Sequence, residues 1–154
     1  MAVSAAVSSV WNEQFSRPDR SSLLAGLNKQ DQLLVERCLE RLDGAPRVRS
    51  SIRWHGVPWR WTIRYETDRR EPVAFMIPEP RRPRLAVPLT AADLDRTGLK
   101  KLSKPVREGI ALASAINGIL WTEWVLSSRS QADELLGLVG ARLSGLGLSL
   151  PAGN

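Results

Sequence analysis

Residues 47–66 read RVRSSIRWHGVPWRWTIRYE, and their apolar period is two. Val48, Ser50, Ile52 and Trp54 alternate with Arg47, Arg49, Ser51 and Arg53. After the turn signal His55-Gly56-Val57-Pro58, Trp59, Trp61, Ile63 and Tyr65 alternate with Arg60, Thr62, Arg64 and Glu66. Successive strand side chains point to opposite faces, so the stretch predicts a β-hairpin with one apolar face and one arginine face. A sheet with a single apolar face must bury it against another layer.

Working outward, Val73, Phe75 and Ile77 predict a third strand and Leu85 to Leu89 a fourth, with Thr67 to Glu71 and Pro78 to Pro83 as connections. Prolines 72, 78 and 88 fall at strand ends, where the missing N–H costs no ladder bond. Upstream, a short helix is predicted at Ser21 to Ala25. Asn28 then caps a helix whose Leu34, Val35, Cys38, Leu39 and Leu42 share one face, with Gly44 and Pro46 as its stop. Downstream, Thr90 caps a short helix, Ala91 to Asp95. Ser103 caps a longer one, whose apolar face runs through Leu102, Val106, Ile110, Ala113 and Ile116 to an Asn117-Gly118 C-cap. Leu120 to Ser127 reads as a fifth strand. Ser130 with Asp133 then starts a last helix, Gln131 to Ser144. The predicted class is α+β: an antiparallel meander sheet of about five strands with helices packed on one face. The domain spans residues 19–147, after a flexible extension at 1–18 and before a tail at 148–154.

The inventory removes most chemistries. The 154 residues suit one domain, and 43% apolar with 25% charged residues is ordinary for a globular chain. A lone Cys38 forms no internal disulfide, which points to a reducing, cytoplasmic setting; on its apolar stripe it reads as a core residue. Any triad would have to use the lone His55, in a predicted tight turn, and there is no histidine–cysteine metal set; an enzyme is the least favoured class, and one without histidine would be built from Arg, Glu and Tyr65. No phosphate loop or dinucleotide fingerprint occurs, and Gly137 to Gly147 lie in or after a helical pattern. Asp93 with Asp95, and Asp133 with Glu134, do not form acid–base couples. No apolar run is long enough to span a bilayer. The expectation is no catalytic residue, no metal, no cofactor and no membrane partner. Arginine-rich usage with abundant Ala and Leu fits a GC-rich bacterial source.

Two features stand out. Lys and Arg total 22 against 16 Asp and Glu, a net +6. Ten arginines against four acids lie between Arg47 and Arg84, so this segment holds the whole excess. Arg49, Arg53, Arg60, Arg64, Arg69, Arg70, Arg81 and Arg82 are the candidate anion or nucleic-acid surface, against the alternative of a solvated polar face. The second feature is tryptophan, six of nine aromatics. Trp54, Trp59, Trp61, Tyr65, Trp121 and Trp124 are the candidate lining of a cavity for a planar or apolar ligand, against simple core packing. Trp59 and Trp61 are expected on the same face, and Trp121 and Trp124 on opposite ones.

The W-x-W-x-I-x-Y strand at Trp59 to Tyr65, and Leu120-Trp121-Thr122-Glu123-Trp124-Val125-Leu126 followed by Gln131-Ala132-Asp133-Glu134-Leu135-Leu136, give a layout that resembles small bacterial MmcQ/YjbR-like and YdhG-like α+β domains. The likeness covers roughly residues 28–146 and rests on order and pattern. It implies a helix, meander, strand and closing helix. YjbR-like members suggest DNA binding, and some YdhG-like members a frataxin-like iron chaperone. Scattered, outnumbered carboxylates disfavour the iron role. The functional expectation is a non-enzymatic binding module acting on a partner protein or small ligand. The alternative is a weak, sequence-independent nucleic-acid binder.

Overall fold

Asn28 is extended, and its side-chain oxygen accepts the Asp31 amide at 2.8 Å, satisfying one of the orphan donors that open a helix. The helix it starts, α2 (Lys29–Asp43), follows the short α1 (Arg20–Ala25) and turns Leu34, Val35, Cys38, Leu39 and Leu42 into the core. The computed structural model describes residues 10–152. Then come β1 (Val48–Trp54), β2 (Trp61–Thr67), β3 (Pro72–Ile77), β4 (Arg84–Leu89), α3 (Ala91–Thr97) and a 3-10 turn (Leu99–Lys101). They are followed by α4 (Lys104–Ala111), β5 (Ser114–Ile116), β6 (Ile119–Val125) and α5 (Arg129–Gly145). The six strands form one antiparallel sheet in the order β1-β2-β3-β4-β6-β5.

Register defines the two faces. Ile52, Ile63, Met76, Leu85 and Trp124 lie opposite one another across five strands. This row meets the helices: α2 packs on β1, α5 on β3 and β4, and α4 on β6. Leu85, Met76 and Ile63 are fully buried there, as are Leu135, Leu136, Leu138 and Leu143 of α5. Each such side chain contributes about 1.5–3 kcal/mol of transfer free energy. The row on the second face is Ser51, Arg64, Phe75, Ala86 and Glu123.

Hydrogen bonds fix how the helices sit. The Tyr65 hydroxyl donates to Asp43 at 2.7 Å, and Arg20 donates to the same carboxylate at 2.6 Å, so α1, α2 and β2 are tied at one point. Behind α5, the buried Asp93 accepts its own N-cap amide, from Thr90, and faces Arg96 at 2.8 Å and Arg142 at 3.8 Å. Arg142 also donates to the Pro72 carbonyl, which joins α5 to β3. Gly145 makes the approach possible: a Cβ there would lie 2.5 Å from Asp93 Oδ1.

Four expectations are corrected. The sheet has a sixth strand, because α4 stops at Ala111 and Ala113 to Ile116 leave the helical pattern. Asn117 and Gly118, with φ of 52° and 78°, close the β5–β6 hairpin instead of capping a helix; both jobs need left-handed backbone. Trp59 does not share a face with Trp61. Arg60 adopts φ of 59° and donates its amide to the Gly56 carbonyl, which breaks the alternation before β2 begins. Ser128, not Ser130, caps α5 by accepting the Gln131 amide, while Gln131 Oε1 accepts the Ser127 amide. Asp133 instead pairs with Arg37 of α2 at 2.8 Å.

Of the predicted extension, residues 1–9 lie outside the described residues. Trp11 is buried and anchors the segment: its indole donates to the Trp61 carbonyl at 3.2 Å, and the Trp61 indole to the Glu13 carbonyl at 2.7 Å, while residues 12–17 are exposed. In the tail, Leu148 and Leu150 pack against the core, and Arg41 donates to the Pro151 carbonyl.

Candidate functional site: the second face of the sheet

β3 is apolar on both sides. Ala74 and Met76 face the helices, so Val73, Phe75 and Ile77 project to the second face. Phe75 becomes the centre of an aromatic cluster. The β1–β2 turn, displaced by the Arg60 backbone, folds over it and brings Trp59 to 5.5 Å and His55 to 5.7 Å between ring centroids. His55 and Trp59 stack at 4.4 Å. From the other side Trp121 meets Phe75 edge-on at 5.8 Å. The Arg64 guanidinium lies 5.3 Å from the Phe75 centroid. Each aromatic pair is worth about 0.5–1.5 kcal/mol beyond its burial, and the cation–π contact about as much. Burial against these rings, then the nearby Arg64 charge, holds the His55 imidazole below its ordinary 6.5.

Around this centre stand three arginines and three glutamates. Glu66 faces Arg53 at 3.5 Å and Arg64 at 3.3 Å. Arg84 bridges Glu79 at 2.8 Å and Glu123 at 3.3 Å. The six charges cancel. Arg64 Nε and Arg84 Nε are buried without a hydrogen bond of their own, so neither guanidinium's donor set is complete.

The eight candidate arginines do not share this surface. Arg53 and Arg64 belong to it, neutralised as described. Arg49 pairs with Asp68 at 3.2 Å near the β2–β3 end of the sheet, where Arg69 and Arg70 occupy the turn. Arg81 and Arg82 sit in the β3–β4 loop at the opposite end. Arg60 stands at that end too, its Cζ 5.3 Å from the Trp11 ring.

The six candidate cavity residues are likewise divided by the sheet. Trp54 and Trp61 meet edge-on at 5.6 Å on the helix side, with Tyr65 and Trp124, whose indole donates to the Val106 carbonyl. Trp59 and Trp121 are on the second face. They enclose no common space. A cleft of about 260 Å³ does exist elsewhere, between the β2–β3 turn and the end of α5. Its lining, Arg47, Thr67, Asp68, Arg69, Glu71 and Leu146 to Leu148, is polar and balanced in charge.

No family model, curated protein or solved structure matches the chain. The site therefore rests on its own geometry.

Phe75, His55, Glu66, Arg84 and Glu123 are the site residues that pattern reading missed. The available signal was in β3, Pro72 to Ile77, a strand apolar at consecutive positions. That is the mark of a strand covered on both sides.

The remaining titratable groups are bound into the fold. Burial, then the bond to Asp43, pushes the Tyr65 phenol above its ordinary range, so it stays a donor. Burial pushes the Cys38 thiol up to about 12, which leaves no thiolate for chemistry. Among the described residues no three His, Cys, Asp or Glu gather where an ion would fit.

Proposed function

We propose that the protein is a non-enzymatic module that binds a partner protein on the second face of its sheet. The observation that supports this reading is an aromatic centre ringed by arginines that are already neutralised. Aromatic side chains and arginine dominate the energetics of protein–protein contacts: the aromatics bury large areas at low entropy cost, and the planar arginine fork stacks and bonds in the same contact. A phosphate-bearing chain instead needs uncompensated cations, since its affinity comes from replacing counterions. On this face every guanidinium already has a carboxylate. The partner chemistry that fits is an apolar or aromatic segment with few charges, laid across the half-buried Trp59 and Trp121, which flank the buried Phe75.

A cytoplasmic setting is part of the same proposal, supported by the single cysteine. Kinship with MmcQ/YjbR-like and YdhG-like domains remains part of the proposal, as a statement about layout.

The test is selection of displayed random peptides on the intact protein, with counter-selection on Trp59→Ala/Trp121→Ala. Enrichment of aromatic, weakly charged sequences that the double variant does not retain supports the reading. Enrichment of acidic sequences retained by the variant overturns it.

A further inference from the structure

The cleft beside the β2–β3 turn is built from three segments far apart in the chain: Arg47 before β1, Thr67 to Glu71, and Leu146 to Leu148 after α5. Register brings the first two together, because Val48 pairs with Thr67. Arg142 brings the third, since it donates to the Pro72 carbonyl about one turn before α5 ends.

Both walls are held by the fold. The buried Thr67 donates its amide to the Glu71 carbonyl at 2.9 Å, and its hydroxyl accepts the Glu71 amide at 3.1 Å. Across the cleft, Gly147 adopts φ of 77° and the Leu148 amide donates to the Leu143 carbonyl at 2.8 Å, a closure that fixes the chain after the helix. Leu148 then packs against the core. At about 260 Å³ the space is smaller than the roughly 300–1,000 Å³ of sites for drug-sized molecules, so it suits a small metabolite.

Unpaired arginines stand at both ends of the sheet and do not by themselves mark a site. What marks this cleft is that unpaired charges of both signs line it. Asp68 is taken by Arg49 at 3.2 Å. Among the described residues Arg47, Arg69 and Glu71 form no ion pair, so two cations and one carboxylate share the space beyond pairing distance of one another. The C-terminal end of α5 adds partial negative charge to one wall, and Leu146 and Leu148 add apolar surface.

A ligand that satisfies this set carries both signs. A plain anion such as phosphate meets the arginines but sets its charge against Glu71, and like charges a few ångströms apart repel. A plain amine meets the reverse problem. An ammonium on Glu71 with carboxylates on the two arginines uses all three groups, in charge-assisted hydrogen bonds roughly twice as strong as neutral ones.

We infer that this cleft binds a free α-amino acid with an acidic side chain, its ammonium on Glu71, its two carboxylates on Arg47 and Arg69, and its methylenes against Leu146 and Leu148. The cleft shares no residue with the sheet-face site, so the inference stands if the partner-protein reading fails.

The experiment is an NMR titration of the full chain with L-glutamate, with glutarate, which lacks the ammonium, and with L-leucine, which lacks the second carboxylate. The expected result is amide shifts at residues 67–71 and 146–148 with L-glutamate, and affinities at least about tenfold weaker for the other two, each having lost one charge-assisted contact. In Glu71→Gln, L-glutamate weakens at least about tenfold while glutarate does not, so the preference between them disappears. Arg47→Gln/Arg69→Gln weakens both. Arg47 and Arg69 are exposed and Glu71 half-buried, and an unchanged thermal melt of each variant checks the fold. No shift at the cleft with about 10 mM L-glutamate overturns the inference, whatever the variants do. So does glutarate or L-leucine binding as tightly as L-glutamate: the first makes the cleft an anion surface, and the second leaves one guanidinium without a role.

Discussion

Glu66→Gln isolates the charge argument at the sheet face. Gln keeps the shape and one carbonyl acceptor but removes the negative charge that Arg53 and Arg64 share. The Glu66 side chain is 12% exposed, while Arg64 is 29% and Arg53 51% exposed. The loss should therefore exceed that of a surface pair, about 0–1 kcal/mol, and fall short of a fully buried pair, about 3–5 kcal/mol. Solvent screening of Arg53 places the figure at about 1–2 kcal/mol. For a chain of this length that lowers Tm by about 2–8 °C. The assay is a thermal melt of both proteins at low and high salt. The difference should narrow at high salt, because the half-exposed pairs are screened. The variant face also carries a net positive charge, so oligonucleotide binding should strengthen over the wild type and depend more steeply on salt. A variant as stable as the wild type at both salt concentrations, with no gain in oligonucleotide affinity, refutes the claim that Glu66 neutralises this face.

Other outcomes follow from single contacts. Gly109→Ala places a Cβ 2.0 Å from Trp124 Nε1 and disturbs the indole's bond to Val106. Overpacking outweighs the better helix former, and denaturant melts should show a net loss of about 1–2 kcal/mol. Cys38 should resist an aromatic disulfide reagent in the native protein and react only as fast as the protein opens, since it is buried and its thiol is pushed up to about 12. His55 should titrate below 6.5 by NMR, and Trp59→Ala should move it back toward 6.5 by removing part of the burial. Because the folded imidazole binds its proton less readily than the unfolded one, its contribution to stability is complete above 6.5 and declines as pH falls below 6.5.

The architecture was legible wherever side-chain period and caps agreed. Asn28 and Thr90 do what their residue types imply, and the meander follows from alternation; Gly44 ends its helix as the C-cap itself, with right-handed backbone (φ −78°) and not the left-handed C′ conformation that glycine favours. The reading failed where one residue type serves two geometries. Asn117-Gly118 suits a helix end and a hairpin turn equally, and only the pairing of β5 with β6 decides between them. Trp59 was assigned to the wrong face because alternation assumes extended backbone, and Arg60 is left-handed. The site was hardest to see. An arginine-rich stripe looks like an anion surface in one dimension. Glu66 stands two residues from Arg64 and Glu79 five from Arg84, but only the sheet turns them onto the guanidiniums, and Glu123 comes from β6, 39 residues from Arg84.

The central claim is that the second face binds a partner through aromatic burial and not through charge. The direct measurement is the dissociation constant of a peptide selected on the wild-type protein, followed across a tenfold range of salt and repeated with Trp121→Ala. The account predicts an affinity nearly independent of salt and weakened at least about tenfold in the variant, the loss of one aromatic anchor. A logarithmic salt slope of about −2 or steeper, with the variant unaffected, contradicts it.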